Sequence, residues 1–125
     1  MRTLRLKLVD SISELGIEDV GCLAISGSHG GLSAGRFALA VRPALSVFND
    51  AGVGKDAAGL AGLALLQQNG LAACCVAHTS ARIGEAHSTL NDGIISYLNE
   101  LAAHMGLQTG QTVLSVQQKL SVNRE

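Results

Sequence analysis

Leu4, Leu6 and Leu8 alternate with Arg5 and Lys7, the two-residue period of a strand with one face covered. Polar residues dominate from Asp10 to Asp19 and predict a short helix or turn. Val20 to Ile25 reads as a second strand. Beyond it, Ala34, Phe37, Ala38 and Val41 form one helical stripe. Pro43 closes that helix, because the residue before a proline is pushed out of the α region. Ala44 to Phe48 predicts a third strand. A helix is expected from about Asp56 to Gln68, closed by Gly70. The fourth strand, Leu71 to Ala77, is near-continuously apolar, as strands covered on both faces are. Ile94, Leu98, Leu101 and Met105 predict a long helix from about Asp92 to Met105, with Gly106 as its C′ residue. The tail holds Thr112-Val113-Leu114 and a weak helix through Val116 and Leu120.

Strands and helices alternating at crossover spacing predict a single α/β domain over residues 1–125. Its expected core is a mostly parallel sheet of about four to five strands with helices on both faces, a three-layer arrangement of Rossmann-like or swivelling type. The 57–66 helix is apolar all round, with Ala57, Leu60, Ala61, Ala64 and Leu65 on one face and Gly59, Gly62, Leu63 and Leu66 on the other. Such a helix must be covered all round, which predicts a homo-oligomer packing on it. Cover by the N-terminal strand or the tail is the alternative.

Composition narrows the function classes. A hydrophobic content of 47% against 15% charged residues excludes a disordered chain. A net charge of −1, with Phe37, Phe48 and Tyr97 the only aromatic residues, argues against a nucleic-acid partner. The longest uncharged stretch, Ala57 to Ala81, is broken by Gln67-Gln68-Asn69-Gly70, so no membrane span is expected. The N-terminus alternates instead of forming an apolar block, and a cytoplasmic location is expected. Cys22, Cys74 and Cys75 lie in predicted strands and read as small buried hydrophobes; adjacent Cys74 and Cys75 should face opposite sides of the sheet.

Candidate chemistry concentrates in three loops after successive strands: Ser26-Gly27-Ser28-His29-Gly30-Gly31, the 49–56 segment, and the 78–85 segment. In a parallel α/β sheet such loops share one edge, where ligands bind. Gly52-Val53-Gly54-Lys55-Asp56-Ala57 fits GxGxx[G/A], but no Asp or Glu occurs between Asp56 and Glu85 to hold a ribose. Gly54-Lys55 resembles the end of a P-loop, yet Asn49 and Asp56 occupy positions that need Gly and Ser/Thr. No cofactor is expected. Ser26-Gly27-Ser28-His29-Gly30 has the outline of a nucleophile elbow, and Asp50 and His78 follow in the chain order of α/β-hydrolases. Ser28-His29-Gly30-Gly31 with Arg36 resembles a short stretch of swivelling phosphohistidine domains of the pyruvate phosphate dikinase type. The arginine is one place too far and the preceding Gly-Gly is absent, so no family is assigned on it. His29, His78, His87, Asp50 and Glu85 could supply metal donors if the loops converge, but no HxH or HExxH spacing supports this and no metal is expected.

These readings combine into a small carboxylate- or phosphate-bearing metabolite handled at the strand C-terminal edge. The expected acid–base groups are His29, Asp50 and His78, with Lys55 as charge stabiliser or amine nucleophile. Ser28, Gly30, Gly31, Gly52, Gly54, Ser80 and Arg82 are the expected substrate-binding positions, the glycines through free backbone amides. A non-catalytic oligomeric binding or assembly subunit is the competing class, and a Ser-Asp-His hydrolase a further one.

Overall fold

The computed structural model describes residues 3–121. Five strands form one sheet in chain order: β1 (Leu6–Val9), β2 (Leu23–His29), β3 (Leu45–Asn49), β4 (Ala72–Val76) and β5 (Ile95–Leu98). The first four run parallel and β5 is antiparallel to β4. Helices α1 (Leu32–Val41), α2 (Ala61–Gln68), α3 (Ala86–Asp92), α4 (Glu100–His104) and α5 (Val113–Leu120) complete the chain. This is the small, mostly parallel α/β sheet that the alternation of elements predicts.

Right-handed crossovers that all step the same way across a sheet put their helices on one face. Accordingly α1 and α2 bury Ala34, Ala38, Leu63 and Leu66 against Phe48, Ala73 and Cys75. The opposite core joins Ile25, Val47, Cys74 and Val76 to Val113 and Val116 of α5. Cys74 and Cys75 thus belong to opposite faces, as their adjacency requires. All three thiols are free and buried.

Several boundaries differ from the sequence expectation. The long helix over 92–105 is replaced by the end of α3, strand β5 and the short α4. Its four-residue apolar spacing is coincidental: Ile95, Tyr97 and Leu98 pair with Val76, Cys75 and Cys74, and tertiary pairing overrides local period. Asn99 caps α4 by accepting from Ala102 N–H at 3.0 Å. The second helix starts at Ala61, because the preceding 3₁₀ stretch contains Asp56 and Ala57 in left-handed conformation. Val113 and Leu114 open α5, capped by Thr112.

β2 also runs on through Ser26-Gly27-Ser28-His29, with a register shift against β3 between Ile25 and His29. The expected first loop is therefore mostly strand, and only Gly30 and Gly31 separate it from α1. A side chain at Gly27 would run into the Gly84–Glu85 backbone. That close approach is what brings the third loop onto β2.

Gly62 of α2 and Gly35 of α1 let the two helices meet. A methyl group on Gly35 would stand 2.8 Å from Gly62 Cα, and one on Gly62 would stand 2.5 Å from the Gly31 carbonyl. Part of the cover that the apolar 57–66 segment needs is thus supplied by α1 within the chain, while Ala57, Ala58 and Ala64 stay exposed. No helix among the described residues is long and apolar enough to cross a membrane.

Candidate functional site

β3 ends at Asn49 with Asp50 next in the chain, and β4 ends at Val76, two residues before His78. Parallel pairing of these strands, with Asn49 opposite Val76, brings the two ends together. His78 Nδ1 lies 3.3 Å from Asp50 Oδ1. The carboxylate is nearly buried, whereas the imidazole is 55% exposed. Asp50 Oδ1 also accepts from Gly52 N–H at 2.8 Å and His78 N–H at 3.1 Å, and Oδ2 accepts from Ser96 Oγ at 2.7 Å. Burial works to raise the Asp50 pKa, but the donors from Ser96, Gly52 and His78 outweigh it and hold the carboxyl below its ordinary value. With Nδ1 facing Asp50, Nε2 of His78 makes no hydrogen bond among the described residues and is the nitrogen left to meet a ligand.

An open cleft of about 690 Å³ adjoins this pair. His78, Thr79, Ser80, Arg82, Ile83 and Glu85 from the third loop line one side, with Asn49 from the end of β3, Ala51 from the loop after it, and Ser88 and Asp92 from α3. The loop is braced at several points. Asn49, fully buried, donates to the Ala81 carbonyl at 3.1 Å, and Ser88 Oγ accepts from Arg82 N–H at 2.9 Å. Ser80 Oγ donates to Ala77 O at 2.7 Å and accepts from Ile94 N–H at 3.0 Å. Asp10 at the end of β1 accepts from Ala86 N–H at 2.9 Å and fixes the start of α3.

The expected site residues therefore divide. His78, Ser80 and Arg82 line the cleft together, with Asp50 against His78 just outside the lining. His29 and Lys55 are exposed but do not line this cleft. His29 Nδ1 accepts from Gly31 N–H at 3.2 Å, and Ser28 Oγ accepts from Ile12 N–H at 2.8 Å, toward β1. The Asp–His half of the expected hydrolase triad is assembled without Ser28 in the cleft. Among the described residues, no group of three or more His, Cys, Asp or Glu side chains is placed to hold a metal ion.

The amides expected to stand free for an anion are taken up within the protein. Gly30 N–H donates to Asn49 O at 2.9 Å and Gly54 N–H to Gly52 O at 2.8 Å, while Gly52 and Gly31 serve Asp50 and His29. Of the expected anion-binding groups, Arg82 is the one whose donors reach the cleft with only a loose partner, Glu85 Oε1 at 3.8 Å.

The 51–57 segment makes this possible by an unusual path. Ala51, Gly52, Val53, Gly54, Asp56 and Ala57 all have φ between 53° and 76°. Val53 N–H donates to Asp50 O at 2.7 Å, closing a left-handed turn over Ala51 and Gly52 that returns the Gly52 amide to the Asp50 carboxylate. Left-handed backbone is strained for non-glycine residues, most of all for β-branched Val53.

Ser96, Ser88 and Asp92 are contributors that the sequence did not single out, and Asn49 stood out there only as a departure from a P-loop. Each depends on an element whose position only the fold supplies. Compared with known proteins, the chain matches no family model, no curated protein and no solved structure.

Proposed function

We propose that the cleft binds a small metabolite bearing a carboxylate or phosphate, received by Arg82, with His78 as its acid–base group. The observation that carries this reading is the Asp50–His78 pair at 3.3 Å beside a 690 Å³ cleft that Arg82 also lines. A buried carboxylate that orients an imidazole and stabilises its protonated form is how histidine is made a competent base. In this role Asp50 fixes Nδ1, and Nε2 takes a proton from the ligand and returns it. Such a step is common to lyase, isomerase and hydrolase chemistry. His29 and Lys55 have no part in it. The homo-oligomer belongs to the same proposal, its support being Leu32 and Phe37, which α1 leaves 43% and 49% exposed.

Thermal-shift screening against acetate, succinate, inorganic phosphate and nucleotides tests the binding half. A ligand at 100 times its dissociation constant stabilises by about 2.7 kcal/mol. Arg82→Gln should abolish that shift while leaving the unliganded protein nearly as stable, since Arg82 is 78% exposed. For the acid–base half, deuterium incorporation into the bound ligand in D₂O is followed by NMR, and His78→Ala should stop it with binding retained. Silence across the panel, or a shift indifferent to both variants, favours a non-catalytic assembly subunit.

A further inference from the structure

The charges lining the cleft do not suit a simple anion. Arg82 is the one lysine or arginine side chain in the lining, which also carries two carboxylates, Glu85 and Asp92. A third, Asp50, lies beneath. A dianion entering this field gains one guanidinium and meets three like charges.

Asp92 is the informative member. It is the last residue of α3, where unsatisfied carbonyls favour a cation, and no basic residue stands in that turn. Among the described residues it makes no ion pair. Its carboxylate is instead held toward the cleft by Ser88, whose Oγ lies 3.3 Å from Asp92 Oδ2 and accepts from the Arg82 amide at 2.9 Å. A carboxylate at a helix C-terminus without a cationic partner runs against the local electrostatic rule, and such departures concentrate at functional positions. Arg82 and Glu85, 78% and 56% exposed and 3.8 Å apart, are free to exchange their mutual contact for a ligand.

We infer that the cleft takes a small zwitterion, a primary amine joined to a carboxylate, with the carboxylate on Arg82 and the ammonium on Asp92 at the C-terminus of α3. Glu85 supplies further negative field at the rim, and His78 stands beside the bound molecule. This inference rests on the cleft being the binding site, and it replaces the general anion by one chemical class.

Titrations followed by amide NMR would use L-alanine, β-alanine and 4-aminobutyrate, with propionate, butyrate and inorganic phosphate as probes lacking the amine. One of the amino acids should bind about tenfold or more tightly than its amine-free analogue, the worth of a charge-assisted hydrogen bond, and should move the Arg82 and Asp92 signals. Asp92→Asn, at an exposed position, should erase that advantage, while propionate and butyrate bind no more weakly than before because a like charge has been removed. If propionate, butyrate or phosphate moves the His78 and Arg82 signals as strongly as any amino acid, the zwitterion inference is overturned and the binding site stands. An amine advantage that persists in Asp92→Asn also overturns it. No response at His78 and Arg82 to any probe removes both readings.

Discussion

Ser96 on the antiparallel strand β5 donates to Asp50 Oδ2 across 2.7 Å and 46 positions of sequence. The bond ties the one strand that reverses direction to the carboxylate that orients His78. Asp50 is thereby supplied from three segments: its own loop through Gly52, the third loop through His78, and β5 through Ser96.

Ser96→Ala should cost about 1–2 kcal/mol near neutral pH, because the hydroxyl serves a charged acceptor. Loss of a donor to the ionised form also moves the Asp50 pKa upward. Urea denaturation should therefore show the deficit shrinking as the solution is acidified and Asp50 takes up its proton. A pH-independent deficit would show that the hydroxyl matters only for packing.

Acid should destabilise the protein through Asp50 and Asp19. Asp19 is buried; it accepts from Gly16 N–H and Arg5, and these donors, with Lys7 nearby, outweigh desolvation and lower its pKa. For both carboxylates the folded pKa lies below the ordinary 3.8. The stability they contribute is present in full above the unfolded value and lost as pH falls through the folded one. The urea midpoint should drop steeply below about pH 4, and Asp19→Asn should flatten the slope. An unchanged slope in that variant would exclude Asp19 from the effect.

Relief of the left-handed path should be measurable. Val53→Gly should raise stability by about 1 kcal/mol, since strain of roughly 1–2 kcal/mol is exchanged for a smaller entropy cost. Gly70→Ala, with φ +79° and open space around it, should do the reverse. Calorimetry of the two variants decides the point: a destabilised Val53→Gly would mean that the loop is not strained at Val53.

At the α1–α2 contact, Gly62→Ala should destabilise by about 1–3 kcal/mol, because the added methyl meets the Gly31 carbonyl, which belongs to the backbone and cannot rotate away. Ala64→Gly, on the exposed side of the same helix, should cost only the helix-propensity difference of about 1 kcal/mol. Similar losses in the two variants would place the Gly62 contact among ordinary helix positions.

Thiol reagents should find no target in the folded protein. Burial pushes Cys74 up to about 12 and raises Cys75 and Cys22 as well, so thiolate is scarce and inaccessible. Colour development with a disulfide reagent should wait for denaturant and then report three thiols. Rapid native labelling of any one would contradict the buried placement.

Much of the sheet is legible in the chain. Leu71 to Ala77 can be little but a strand covered on both faces, and Leu4 to Leu8 carries a clear two-residue period. Asp50 and His78 could be paired in advance because both follow predicted strands of one parallel sheet. β5 was hidden by the spacing of Ile94, Leu98, Leu101 and Met105, which fits a helix equally well until β4 supplies a pairing partner. With β5 went Ser96. The glycine amides of the second loop misled for another reason: a glycine announces an unusual turn but not where its N–H points, and here Gly52 turns inward to Asp50.

Strand order in the sheet equals strand order in the chain, so each parallel strand can dock on its predecessor as it leaves the ribosome. Domains gather vectorially during synthesis. The Asp50 carboxylate breaks this sequence, because its last donor is Ser96. A nascent chain that has released β1 to β4 and the loop after β4 holds both members of the Asp50–His78 pair with one carboxylate oxygen unserved, and β5 supplies the missing donor only when it folds back against the direction of growth.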